Sequence, residues 1–154
     1  MPSPPGQRSN EGKALRTEKR RHILSALIAL LILLFIWGQS VLPVKDSAAE
    51  SGWLRETIVN PLLRLVGIEP VSDHLVRKAA HIGEFFLLSL FAALFLGRKA
   101  PLALPLCFAA AFLDETIQLF SDRGAQVRDV WIDLIGVAAG TALGWTIAAR
   151  RKNE

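Results

Sequence analysis

Long apolar blocks alternate with short polar segments along this chain. Residues 23–44 carry no formal charge, and those 22 consecutive residues exceed the about 20 that a helix needs to cross a bilayer. Three further blocks, 85–97, 100–113 and 134–149, reach that length only by including polar residues at one end. The pattern predicts an all-α polytopic membrane protein with four transmembrane helices. Their expected ranges are about 23–44, 79–97, 100–121 and 130–149.

The segment before the first block predicts how the chain is organised. Residues 1–21 are rich in proline and basic residues, which predicts a disordered tail, and residues 22–150 form the transmembrane domain. A signal peptide cleaved near Ser47–Ala49 is the alternative for the first block. The apolar run is longer than the usual h-region of about 7–15 residues, which favours a retained transmembrane helix.

The polar segment after the first block contains a short amphipathic pattern. Its apolar residues recur at helical spacing, which predicts a short helix lying on the outer membrane interface. An ordinary structured loop is the alternative, because Pro61 lies within the pattern. The apolar positions are Leu54, Ile58, Leu62 and Leu65.

Composition and charge narrow the class of protein and orient its helices. The chain is 51% hydrophobic and has one cysteine, Cys107, which excludes a disulfide scaffold and argues against a soluble enzyme. Eleven of the 18 lysine and arginine residues flank the termini and the turn between the second and third blocks. The positive-inside rule therefore places both termini in the cytoplasm. Since the basic residues lie beside membrane helices, no nucleic-acid partner is expected.

Ionisable residues inside the predicted helices indicate a site. Such residues are costly within a membrane and commonly mark function. In the predicted topology they all lie in the outer half of the membrane and come from three helices, so we expect them to converge. The candidate polar site comprises Arg77, Lys78, His81, Glu84, Asp114, Glu115, Gln118, Arg123, Asp129 and Asp133.

Three glycines in the last helix predict close helix packing. Gly136, Gly140 and Gly144 recur every four residues and form one stripe, which lets another helix approach closely. The partner helix is either in the same chain or in a second copy, so a homo-oligomer is one possibility. Asp129 and Asp133 share this stripe and are therefore predicted to face protein rather than lipid.

The polar residues also have ordinary structural interpretations. Arg77, Arg123 and Arg128 would neutralise the buried acids in a salt-bridge network that has no further role. The pair His81-x-x-Glu84 resembles half of a metal-binding motif. Because no second half is visible in the sequence, we predict neither a metal nor another cofactor.

The order and spacing of these residues resemble the VanZ-like family of bacterial membrane proteins over about residues 77–146. The family pattern R-K-x-x-H-x-x-E-[YF] matches residues 77–85, and E-x-x-Q-x-F matches residues 115–120. An arginine follows, and D-[VI]-x-x-[ND]-x-x-G then matches residues 129–136. The recurring polar positions of the family correspond to Lys78, His81, Glu84, Glu115, Gln118, Arg123, Asp129 and Asp133.

The resemblance implies a location and an association rather than a reaction. It implies a protein of the bacterial inner (cytoplasmic) membrane, and the family's namesake is linked to tolerance of the glycopeptide antibiotic teicoplanin. An outward-facing polar site suits this association, because cell-wall precursors and their lipid carriers are found at that face.

Three functions are compatible with these observations. The first is binding of a lipid-linked cell-envelope molecule, with Arg77, Arg123 and Arg128 holding phosphate. The alternative is an intramembrane hydrolase or transferase acting on such lipids, with Glu84 and Glu115 as acid and base. A proton-coupled pathway through the acidic residues is the third.

Overall fold

Every regular element of the described chain is helical in a computed structural model. The described residues are 5–41, 52–53, 55–65, 67, 69–121 and 127–151. The elements are α1 (Pro5–Val41), a π-helical turn (Arg55–Val59), α2 (Asn60–Leu65), α3 (Asp73–Leu96), a 3-10 turn (Gly97–Leu102), α4 (Ala103–Phe120) and α5 (Val127–Arg150).

Three stretches of the described chain are long and apolar enough to cross a membrane. They are Leu15–Val41, His74–Phe120 and Arg128–Arg150. The second has 47 residues and contains both α3 and α4, joined by the 3-10 turn. The prediction of an all-α chain with several apolar helices is therefore confirmed for the described residues, and the number of crossings stays a prediction.

Helix α1 begins earlier than the sequence predicts. It starts at Pro5 and continues without a break into the apolar block, whereas residues 1–21 were expected to lack regular structure. The segment 11–21 is rich in Glu, Lys, Arg, Ala and Leu, all strong helix formers. Adding turns to an existing helix requires no new nucleation, so such a segment readily extends its neighbour.

The short helix α2 lies where the amphipathic pattern predicts a helix. Pro61 is its second residue and closely follows the π-helical turn Arg55–Val59. Leu62 and Leu65 are exposed. Leu54 lies outside the described residues, as does the alternative cleavage site at residues 47–49.

Local capping fixes the two ends of α3. The Ser72 hydroxyl accepts a hydrogen bond from the backbone N–H of Leu75, at 3.3 Å, and caps the N-terminus. At the other end Gly97 has φ +55° and ψ −109°, a conformation that is strained for residues with a Cβ. The chain then passes through the 3-10 turn into α4, and Pro101 lies near the start of the new helix.

Replacing Gly97 with alanine is expected to lower the free energy of unfolding by about 1–3 kcal/mol. Alanine at this position would have to adopt the same positive φ, and its Cβ would lie 3.1 Å from the Cε1 atom of His22. Reversible unfolding in mixed detergent micelles measures this cost. Gly38→Ala in α1 is the control, because no atom lies within 4 Å of its new Cβ. Equal losses in the two variants would contradict the prediction.

The glycine stripe of α5 packs against α3, and this is the most extensive helix contact in the structure. Gly136 lies against the carbonyl oxygen of Ile82, and Gly140 against that of Phe86. Gly144 continues the contact further along α3. Both helices advance together along this interface, so they run in the same direction. The stripe is therefore occupied within the chain.

Contacts of α1 establish the direction of the other two long helices. Near one end of the bundle the Nδ1 atom of His22 lies 2.8 Å from the carbonyl oxygen of Phe95 on α3. Towards the other end the Nε1–H of Trp37 donates to the carbonyl oxygen of Ala110 on α4, at 3.5 Å. Further along both helices Ser40 of α1 contacts Asp114 of α4, so α1 and α4 run in the same direction. Because α3 ends beside His22 and leads through the 3-10 turn into the start of α4, α3 and α5 run opposite to them.

The buried core lies between these four helices, and the remaining surface is largely apolar. Ile36, Phe85 and Val137 are at most 1% exposed. By contrast, Trp131 and Trp145 on α5 are 63% and 55% exposed, which suits side chains that face lipid near the two membrane interfaces. An apolar exterior around a small core is typical of a helical bundle whose solvent is the bilayer.

Candidate functional site

Polar side chains gather at one end of the bundle, where α1 and α4 end and α3 and α5 begin. Asp133 lies within electrostatic range of four other carboxyl groups, which come from α3, α4 and α5 itself. We call the five residues the acidic cluster. Its members are Glu84, Asp114, Glu115, Asp129 and Asp133.

Asp114 is at the centre of a buried hydrogen-bond network. Its side chain is fully buried. The hydroxyl of Ser40 donates to its Oδ1 at 2.6 Å, and the amide of Gln118 donates to its Oδ2 at 2.8 Å. The same amide lies 3.4 Å from the Ser40 hydroxyl. These bonds connect the end of α1 to α4.

An ion pair joins α3 to α5 at the same level. The ammonium group of Lys78 donates to Oδ1 of Asp129, and both side chains are largely buried. Since the two residues are on helices that already pack along the glycine stripe, the pair also fixes the relative height of α3 and α5. Lys78 therefore does more than anchor a helix end at the membrane interface.

Asp133 and Glu115 are buried in the same layer. Asp133 is 1% exposed, and its Oδ2 has no hydrogen-bond partner. Glu115 is 8% exposed. Burying a carboxyl oxygen without a hydrogen-bond partner costs free energy, so the unpartnered oxygen of Asp133 requires a physical explanation.

Arg77, His81 and Glu84 follow one another along α3, each half-buried. The Nε atom of Arg77 and the Nδ1 atom of His81 are buried and have no hydrogen-bond partner. Glu84 lies within electrostatic range of His81 and of Asp114. This face of α3 thus carries two buried polar atoms whose hydrogen-bonding capacity is unused.

Arg123 and Arg128 are the other arginines that the sequence predicts near the site. Arg128 lies in the first turn of α5 and is exposed. Arg123 lies outside the described residues, so the structure does not place it. The structure therefore describes nine of the ten residues of the candidate polar site. Arg128 is an exposed neighbour of these nine.

Ser40 is a site residue that the charge pattern does not reveal. It is 1% exposed and belongs to the first apolar block, which has no formal charge. A signal was nevertheless present, because Gln39 and Ser40 are adjacent polar residues near the outer end of that block. Counting polar as well as charged residues would have included α1 in the site.

The described residues contain no group of three His, Cys, Asp or Glu side chains arranged to hold a metal ion. Cys107 is buried in the apolar core beside Ile36 and Ala111, away from the acidic cluster. A buried thiol among apolar neighbours is a poor nucleophile.

Comparisons with known proteins agree with this architecture. A family model described as VanZ/LLP1 matches residues 22–148. An uncharacterized membrane protein of Bacillus subtilis (strain 168), YwnJ, is 34% identical over 84 residues. The match covers 54% of this chain and 59% of that relative's length. No solved structure matches the chain significantly.

Proposed function

Since this chain belongs to the VanZ/LLP1 family, we propose that it crosses the bacterial inner (cytoplasmic) membrane four times, with both termini in the cytoplasm. The alternating directions of the four long helices support this topology. The 18 residues of α4 rise about 27 Å, close to the thickness of the hydrocarbon layer. Basic residues also collect at the end of the bundle opposite the acidic cluster. They are Arg20, Arg21, Arg98, Lys99, Arg150 and Arg151.

The function that we propose is binding of the polar headgroup of a lipid-linked cell-envelope molecule. The observation that carries this proposal is the convergence of polar side chains from four helices at one end of an otherwise apolar bundle. Arg77, Arg123 and Arg128 would hold phosphate, because guanidinium groups match its geometry. The carboxylates and Gln118 would contact sugar or amine groups. A role in glycopeptide (teicoplanin) tolerance is part of this proposal, since the site would act at the outer face of the membrane.

An apolar cavity at the same end of the bundle supports a ligand with a hydrocarbon chain. Its volume is about 370 Å³, and its lining includes Val59 and Leu63 on one side and Val76 and Ala80 of α3 on the other. Because Val76 directly precedes Arg77, a lipid whose headgroup contacts Arg77 would have its first carbons near this cavity.

Lipid retention tests the proposal. The full chain purified from its native membrane is expected to retain lipid-linked molecules that mass spectrometry detects, and Arg77→Gln is expected to retain roughly tenfold less. A charge-assisted hydrogen bond of about 1.5–3 kcal/mol corresponds to at least that factor. The control is Arg64→Gln on α2, an exposed arginine away from the cluster. Unchanged retention in Arg77→Gln would contradict the proposed binding role.

An intramembrane hydrolase or transferase is the alternative function, and one observation favours it. Glu84 and His81 lie within electrostatic range of each other, as an acid–base pair requires. Product analysis on defined lipid-linked substrates distinguishes the two functions. If the wild type forms product and Glu115→Gln does not, the protein is an enzyme. If the wild type retains the lipid and forms no product, the result supports binding. Association of two copies of the chain stays compatible with either function.

A further inference from the structure

Asp133 combines burial with an oxygen atom that bonds to nothing. It lies one turn before Gly136, where α5 is held tightly against α3, and only 1% of its surface is exposed. Its Oδ2 atom has no hydrogen-bond partner. A charged carboxylate in this position would have neither water nor a donor to stabilise that oxygen. The charges around Asp133 therefore decide whether its carboxyl group is ionised or protonated.

Carboxyl groups approach Asp133 from each of the helices α3, α4 and α5. Glu84 approaches from α3, Asp114 and Glu115 from α4, and Asp129 lies one turn earlier on α5. Of the two described cations of α3 at this level, Lys78 is bound to Asp129, and Arg77 lies nearly two helical turns before Glu84. A negative charge on Asp133 would therefore be both buried and repelled by its neighbours, and a carboxyl group in that situation binds a proton instead.

Two titratable side chains of α3, Glu84 and His81, are less buried than Asp133. Glu84 lies within electrostatic range of Asp133 and also of His81. His81 is half-buried, and its Nδ1 atom has no hydrogen-bond partner. An imidazole both accepts and donates protons near neutral pH, and carboxyl–imidazole chains of this kind carry protons in membrane proteins.

We propose that Asp133 is a proton-binding site that exchanges its proton with solvent through Glu84 and His81. The chain therefore takes up and releases protons from within the membrane, an activity that is independent of the lipid ligand proposed above.

Infrared spectroscopy of the full chain in lipid nanodiscs tests the bound proton. The wild type is expected to show, at neutral pH, the carbonyl stretching band of a protonated carboxyl group. Asp133→Asn should remove this band, and Asp129→Asn should keep it, because Asp129 is ion-paired with Lys78. A wild type without the band, or a band that persists in Asp133→Asn, would overturn the proposal. So would a band that sodium chloride removes at constant pH, since this would identify an alkali cation as the occupant.

Hydrogen–deuterium exchange of the same band tests the path. After transfer to deuterated buffer, the band of His81→Gln is expected to shift several-fold more slowly than that of the wild type. The control is His74→Gln, which changes an exposed histidine on the same helix. Exchange in His81→Gln at the wild-type rate would overturn the relay through His81. Lipid retention is measured separately with Arg77→Gln, and its outcome does not bear on the relay.

Discussion

Replacing Gly140 with alanine is expected to lower the free energy of unfolding by about 3 kcal/mol, at the upper end of the usual cost of overpacking. A Cβ at this position would overlap the carbonyl oxygen of Phe86 and the hydroxyl of Ser89. A backbone carbonyl in the middle of a helix cannot rotate away, so α3 and α5 would have to separate. The intrinsic helix preference of alanine, worth about 1 kcal/mol, offsets only part of this cost.

Gly83→Ala is the matched control for Gly140→Ala. Gly83 lies in α3, and no atom lies within 4 Å of a Cβ built on it. The same chemical change is therefore expected to leave the protein unchanged or to stabilise it by up to about 1 kcal/mol. Reversible unfolding of both variants in mixed detergent micelles gives the comparison. Destabilisation of the two variants by the same amount would show that the α3–α5 contact is looser than the structure indicates.

The effect of Gly140→Ala should extend to the site. The ion pair between Lys78 and Asp129 spans the same two helices, so their separation would weaken it. Gly136 lies nearer the acidic cluster than Gly140 does, and Gly136→Ala is expected to show a larger loss of lipid retention for a similar loss of stability. Comparing the two variants separates the effect on the site from the effect on the fold.

Replacing Asp114 with alanine is expected to destabilise the protein by about 1–3 kcal/mol for each donor that loses its acceptor. The hydroxyl of Ser40, which is buried, and the amide of Gln118, which is half-buried, both donate to this carboxylate. Removing a shared acceptor leaves two donors without their partner, which is expected to cost more than removing either donor. Thr116→Ala is the control, because its hydroxyl bonds to the carbonyl oxygen of Phe112 within the same helix.

A double-mutant cycle isolates the bond between α1 and α4. Ser40→Ala removes one donor, and the double variant with Asp114→Ala is expected to cost less than the sum of the two single changes. Contacting residues commonly show a coupling of about 0.5–3 kcal/mol, whereas independent sites add within about 0.3–0.5 kcal/mol. Additive losses would mean that the Ser40–Asp114 hydrogen bond contributes nothing to stability.

The sequence predicted helices from apolar length, and it was least accurate where charged residues continue a helix. A run of uncharged residues indicates the part of a helix that is in lipid, and it carries no information about turns that continue into water. For this reason α1 extends back to Pro5 and α3 begins at Asp73, before the predicted starts at 23 and 79. The 3-10 turn before α4 is likewise invisible to a count of apolar residues.

The candidate site was predicted from the cost of placing charge in a membrane. A prediction based on charge selected residues on three helices, and the helical period alone set Asp129 and Asp133 on the same stripe as Gly136. It omitted Ser40, because a hydroxyl adds no charge to an apolar block and is cheap to bury once it has an acceptor. The acceptor, Asp114, is on another helix, and only the folded chain brings the two together.

By itself, the sequence determined that this protein is helical, that its helices are apolar enough for a membrane, and that its buried ionisable residues occupy one end of them. These properties follow from the period of the helix and the cost of burying charge, both of which are local. Only the tertiary structure decided the partners: Lys78 with Asp129, Ser40 with Asp114, and the glycine stripe with α3. It also left one oxygen of Asp133 without a partner. Pairing depends on the relative height and rotation of whole helices, and packing between distant segments fixes both.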